Sequence, residues 1–333
     1  MDADPGALGG LGVVPASRFY QRPGFYFLLF GLFLAALLLS EGSPFRGEKA
    51  SMGPRENPHA VGPPHEFPAR FLLAAQDPKQ AESIQLGAEI FYQTPKFAAK
   101  YVGNGLSCNS CHFQGGTQQG MLGLVGVALK YPEFDPRAGR PVTLQERLQS
   151  CFLRSLNGKA PPEGSAVLQN LFDYVSYLST GVAKDQLLEW RALDWIPASE
   201  KIPIDKLDPA AGRALFEQKC AACHGRSGGG DGWAPALWGD KTFNDGSGLA
   251  RVYTLAGFLY RAMPLSSPTS LTLEQAQQVA AYLDALPRPA YPGKAQDYPG
   301  GDIPPDAVYY PQKYSKNPLM EHLKLEEAAS ETN

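Results

Sequence analysis

The chain has 333 residues, enough for about two ordinary domains with extra segments. It is 44% hydrophobic and 19% charged, which excludes a wholly disordered chain and a polytopic membrane protein. Thirty Lys+Arg against 33 Asp+Glu leave a net charge of −3, so the basic field that nucleic acid requires is missing.

Residues 1–23 form an N-terminal segment that carries Arg18 and Arg22. Residues 25–39 are an unbroken apolar run. As a helix, residues 24–40 would rise about 26 Å, the short end of what spans a bilayer. The two arginines ahead of the run keep the N-terminus cytoplasmic and send the rest across. A cleaved signal peptide is the competing reading, since Ser40 and Gly42 are small enough for a cleavage site. The first reading puts the protein on the periplasmic face of the inner membrane with one anchor. The second makes it soluble in the periplasm.

Residues 41–79 are rich in proline and read as a semi-extended stalk. His59 and His65 fall here and read as solvated side chains.

Two motifs then carry the chemistry: Cys108-Asn109-Ser110-Cys111-His112 and Cys220-Ala221-Ala222-Cys223-His224. Two thiols three residues apart on one helical turn can add to the two vinyl groups of a haem. The histidine that follows then lies under the iron as its proximal ligand. A zinc knuckle would need four ligands. A thioredoxin-like redox pair would sit in a βαβ pattern, and no strand run accompanies either motif. The expectation is two covalently bound haem c groups.

The context repeats around both motifs. Periodicity predicts a helix over residues 83–91 before the first and over 210–219 before the second. An amphipathic helix follows each, over 165–178 and over 273–286. Thr272 with Gln275 reads as a capping box, and Pro287 ends the last helix. A helix ahead of the haem crossing one near the end resembles the fold of small class I cytochromes c. The fold class is therefore mainly α: two tandem cytochrome c domains, 80–182 and 205–288, joined by a linker at 183–204. A Pro- and Tyr-rich tail, 289–333, is expected to wrap the surface. Gly228-Gly229-Gly230 reads as a haem-side turn, with Trp233 and Trp238 packing nearby.

Each iron needs a ligand on its far side. Met263 stands 39 residues after His224 and precedes Pro264, as a methionine loop would. The same offset from His112 falls on Cys151, the one cysteine outside the two motifs. Met121 competes, but little chain separates it from His112. His/Met ligation is thus expected at the second centre and His/Cys at the first. An anionic sulfur lowers the potential relative to a thioether and places a reactive atom where a substrate could meet it.

The run Glu146-Arg147-Leu148-Gln149-Ser150-Cys151-Phe152-Leu153-Arg154-Ser155-Leu156-Asn157-Gly158 resembles the active-site segment of the dihaem thiosulfate dehydrogenases, which also act as tetrathionate reductases. The resemblance covers about residues 80–287. It implies that Cys151 is ligand and participant, that Arg147 and Arg137 bind substrate, and that Ser155 lines the pocket. Thiosulfate is a small dianion, and joining two of them brings like charges together. Arg137, Arg147 and Arg140 could offset that repulsion by charge-assisted hydrogen bonds. Electrons would pass through the His/Met haem to a cytochrome c or a respiratory complex. Two other functions fit the same residues. One is a non-enzymatic, membrane-anchored electron-transfer subunit. The other is an enzyme that forms a sulfur–thiol conjugate.

Overall fold

The computed structural model describes residues 77–118, 121–183, 196–230 and 234–331. The apolar segment 24–40 and nearly all of the stalk, with His59 and His65, lie outside the described residues, as does Trp233. Among the described residues no helix is long and apolar enough to cross a membrane.

Helix α1, Pro78–Tyr92, starts inside the stretch read as stalk. Asp77 accepts a hydrogen bond from the Lys79 amide at 3.0 Å, and Pro78 occupies the first turn, where a missing N–H costs nothing. Helix α2, Leu144–Arg154, is opened by a reciprocal cap: the Glu146 amide donates to Thr143 Oγ1 and the Thr143 amide to Glu146 Oε2. Helix α3, Ala166–Tyr177, is capped by Ser165 and packs across α1.

The second half repeats the plan. Helix α4, Pro209–Lys219, is capped by Asp208, whose Oδ1 takes the amides of Ala210 and Ala211 at 2.9 Å each. Helix α5, Val252–Ala262, packs on α6, Leu273–Ala285, which also crosses α4. The expected Thr272–Gln275 capping box is present, with both bonds at 3.1 Å.

Both crossings rest on a glycine. A Cβ on Gly87 of α1 would lie 2.0 Å from the Asn170 carbonyl oxygen of α3. A Cβ on Gly212 of α4 would lie 2.0 Å from the Gln278 carbonyl oxygen of α6. Helix backbones touch at both places, which only a residue without a side chain permits. Among the described residues the fold is mainly helical in both halves.

The domains share one apolar core, with Phe113 stacked on Phe258 at 6.0 Å between centroids. Asn104 donates to the Ser155 and Thr242 carbonyls, and Asn244 donates to the Leu153 carbonyl, so polar side chains stitch the seam.

Three features depart from the sequence expectation. A small antiparallel hairpin, β1 (Glu133–Asp135) and β2 (Arg140–Val142), lies between the first motif and α2. Its strands are too short to show a period of two. The tail does more than wrap the surface: Tyr310 and Leu319 are fully buried. It ends in helix α7, Pro318–Glu331, which packs on α4 and α6.

Candidate functional site

The first motif forms a single turn in which the His112 amide donates to the Cys108 carbonyl at 3.0 Å. Thr94 holds the start of that turn: the Cys108 amide donates to Thr94 Oγ1 at 3.1 Å. The second motif makes the same turn, with the His224 amide on the Cys220 carbonyl at 3.0 Å. None of the five cysteines is paired in a disulfide, although each motif sets two sulfurs on one turn.

Each histidine ring is aimed by a backbone carbonyl. His112 Nδ1 lies 2.6 Å from the Leu122 carbonyl, and His224 Nδ1 lies 2.9 Å from that of Pro235. A carbonyl only accepts, so Nδ1 carries the proton and Nε2 keeps its lone pair, the form a metal needs. Leu122 achieves this in the left-handed region, with φ 53°. Such backbone strain in a non-glycine residue concentrates at functional sites. Burial also pushes the His112 pKa below its ordinary value, which keeps the ring neutral. Two thiols and a neutral imidazole on one turn can hold a haem c, and the chain presents that donor set twice.

Cys151, on α2, is near enough to the first of these turns to act on both of its sulfurs. Burial first, with the nearby Cys151 sulfur acting in the same direction, pushes the Cys108 and Cys111 thiols up to about 12, against a Thr94 hydrogen bond in the case of Cys108. Arg147, one helical turn before Cys151, has its pKa raised above the ordinary arginine value chiefly by that same sulfur. Met263 follows the last turn of α5, with its amide on the Leu259 carbonyl at 3.0 Å, and packs against the core.

Arg147 also lines a cavity of about 340 Å³ beside the hairpin. Its walls come from three parts of the chain: Tyr131, Arg137 and Arg147 from the first domain, Arg251 from the second, and Tyr298 and Pro304 from the tail. Burial pushes the Tyr131 phenol up to about 12, a rise that Arg147 opposes. Arg147 and Tyr131 thus both line the cavity and both interact with the Cys151 sulfur.

Of the residues singled out from the sequence, Arg137 and Arg147 share this cavity, and Cys151 adjoins it through Arg147. Ser155 does not line it: its hydroxyl lies 3.3 Å from Ser247 Oγ at the domain seam. Arg140 is exposed and bonded to Glu146 at 2.7 Å, so it is not a wall residue either. Sequence reasoning missed Tyr131, Arg251 and Tyr298, which no local pattern marks, and the carbonyls of Leu122 and Pro235, which belong to the backbone. Trp238 packs edge-on against Phe216 and Tyr282, and Gly228 yields to it with φ +60°.

Comparison with known proteins agrees with this plan. Residues 94–183 match the family described as SoxA/TsdA, cytochrome c domain. Residues 207–283 match that described as cytochrome c oxidase, cbb3-type, subunit III. The thiosulfate dehydrogenase of Thiomonas intermedia is 35% identical over 269 residues, covering 79% of this chain and 83% of the relative. That of Allochromatium vinosum is 37% identical over 246 residues, covering 70% and 88%. A solved thiosulfate dehydrogenase (TsdBA) from Marichromatium purpuratum superposes with a TM-score of 0.63 at 31% identity. The match covers 71% of this chain and 53% of that one, so this chain corresponds to about half of the larger protein.

Proposed function

The chain belongs to the thiosulfate dehydrogenase family, and from that premise we propose that it joins two thiosulfate ions into tetrathionate, or runs the reverse. Its cytochrome c domains carry covalently bound haem c. In this reading Cys108, Cys111 and His112 would hold the first haem, and Cys151 would supply its further sulfur donor. Cys220, Cys223 and His224 would hold the second, and Met263 would supply its further donor. When bound, the two haems would supply one-electron acceptors for the two electrons released per tetrathionate, which a cytochrome c or respiratory complex would remove.

The protein's own groups do the rest. Arg147 draws a thiosulfate dianion toward the Cys151 sulfur and offsets its charge. The sulfane sulfur of that thiosulfate bonds to Cys151 with loss of two electrons, leaving a thiosulfonate on the cysteine. A second thiosulfate attacks the same sulfane sulfur. The central S–S bond of tetrathionate forms, the cysteine sulfur leaves as thiolate, and no proton is exchanged. What supports this reading is the coupling of Cys151 both to the two sulfurs of the first motif and to Arg147, which lines the cavity.

The proposal extends to location: residues 24–40 deliver the protein to the periplasm, as anchor or as leader. A bare electron-transfer subunit, the other function the residues allowed, gains no support from relatives that are each named as dehydrogenases.

The test is to add thiosulfate to the oxidised protein and follow the haem Soret and α bands. Reduction in the native protein, and none in a Cys151→Ala variant that keeps both haems, is the expected result. Normal turnover without the Cys151 sulfur would remove the mechanism.

A further inference from the structure

We propose that Arg251 and the tail loop carrying Tyr298 form a second anion position, which holds the thiosulfate that attacks and hence the far sulfonate of tetrathionate. This deepens the reading above and rests on it. Tetrathionate carries a sulfonate at each end, separated by two sulfurs. A site that builds it from two dianions needs a cationic anchor for each end, and Arg147 supplies only the one beside Cys151.

The cavity provides the other anchor. Arg251, at the start of α5, reaches it from the second domain. Its guanidinium is fixed from behind: Nε and Nη2 donate to Asp306 Oδ1 at 3.2 and 2.8 Å. Asp306 is buried and also accepts the Tyr253 amide at 3.1 Å. A guanidinium has five N–H groups in a rigid fork, so those not spent on Asp306 keep a set direction. Asp306 thus positions Arg251 rather than hiding it.

Tyr298 does the same for Arg137. Its phenol oxygen accepts from Arg137 Nε at 3.3 Å, and its amide donates to the Arg137 carbonyl at 2.9 Å. It does so at φ +60°, a conformation that an aromatic residue keeps only when its surroundings enforce it. The enforcement is visible in Asp297 clamped by Arg154 and in the Tyr298 ring edge-on to Tyr310.

The acids in the wall offset this charge only in part. Glu133 is paired with Lys130 at 3.3 Å, and Asp135 Oδ1 accepts the Arg137 amide at 2.8 Å. Three guanidiniums, those of Arg137, Arg147 and Arg251, therefore face two carboxylates, Glu133 and Asp135, around a space of about 340 Å³, and of these two only Glu133 has a lysine of its own. That is room for about ten water molecules, ample for a sulfur oxyanion.

The test uses the holoprotein and titrates sodium tetrathionate by calorimetry at fixed ionic strength, alongside thiosulfate kinetics. Arg251→Gln combined with Asp306→Asn removes both charges and leaves no orphaned carboxylate. The expected result is a Kd for tetrathionate about tenfold weaker, with the thiosulfate KM raised in parallel. Tyr298→Phe should weaken binding about threefold. Should the double variant fail to fold, Arg251→Lys keeps the Asp306 contact and loses the fork, and the same rise in Kd is expected. Binding within twofold of native in the folded variants, or no tetrathionate binding by the native protein, would overturn the proposal. A failure of the parent reading shows elsewhere, as native haems that thiosulfate does not reduce.

Discussion

Arg154 and Asp297 form a two-pronged ion pair, with both N···O distances at 2.7 Å, between the last turn of α2 and the C-terminal tail. Both side chains are nearly closed to solvent, at 10% and 6% exposure, and they are not alone. Arg154 Nη1 also donates to the Gly246 carbonyl, its guanidinium lies over the Tyr291 ring at 4.1 Å, and the Tyr310 hydroxyl donates to Asp297 Oδ2 at 2.7 Å. The helix that carries Cys151 is thereby pinned to both the second domain and the tail.

Removing one side of that pair should be costly. A buried charge stripped of its partner typically destabilises a protein by about 3–5 kcal/mol. Arg154→Ala is therefore expected to lower the unfolding free energy by that order in urea titrations. Replacing both residues together, Arg154→Met with Asp297→Leu, should recover much of the loss, because no orphan charge remains. A single variant with native stability would mean that the tail docks by other contacts.

Arg147 should prove sensitive to shape as well as charge. It is surrounded by Cys151, Tyr131 and Asp135, and it lines the cavity. Lysine would keep the positive charge but lose the planar fork that meets an oxyanion through two bonds. Arg147→Lys is expected to cut kcat/KM for thiosulfate by about 10²-fold, the usual loss when one oriented donor to a charged centre is removed. Haem content, read from the pyridine haemochrome spectrum, should not change. Equal activity in the lysine variant would show that charge alone suffices.

Much of this architecture was legible in the residues, for definable reasons. The helices over 210–219 and 273–286 were readable because caps and apolar spacing are local signals, and Asp208 and Thr272 perform as their types suggest. The start of α1 was not, because Pro78 opens a helix and closes a proline-rich stretch equally well. The nearness of Cys151 to Arg147 followed from their spacing within one helix. The wall that Arg251 and Tyr298 complete did not, since both lie far along the chain and reach the cavity only through tertiary packing. Ser155 shows the same limit from the other side: it lies one turn beyond Cys151, yet its hydroxyl meets Ser247 at the domain seam.

The two glycine crossings make a paired prediction. At each, a methyl group would sit 2.0 Å from a carbonyl oxygen of the facing helix, so the helices must separate to admit it. Overpacking of this kind typically costs about 1–3 kcal/mol. Gly87→Ala and Gly212→Ala should each lower the melting temperature of the holoprotein while leaving both haems attached. Alanine tolerated at either site without loss would mean that this crossing can spread freely.

The acid limb of stability should depend on Glu146. Arg140 beside it, at 2.7 Å, together with the Thr143 amide, holds its carboxyl down to about 2, below the ordinary 4.5. A carboxyl depressed on folding stabilises the native state at pH above its unfolded value, and the contribution disappears as pH falls through the folded value. The window therefore runs from about 4.5 down to about 2. The group is exposed, so solvent and salt screen the effect and it should be small. Glu146→Gln should flatten the difference in melting temperature across that window and leave stability near neutral pH only slightly lowered. Raising the salt concentration should shrink the native protein's slope toward that of the variant, because the Arg140 contact is a surface pair. An unchanged slope in Glu146→Gln would assign the acid sensitivity to other carboxylates.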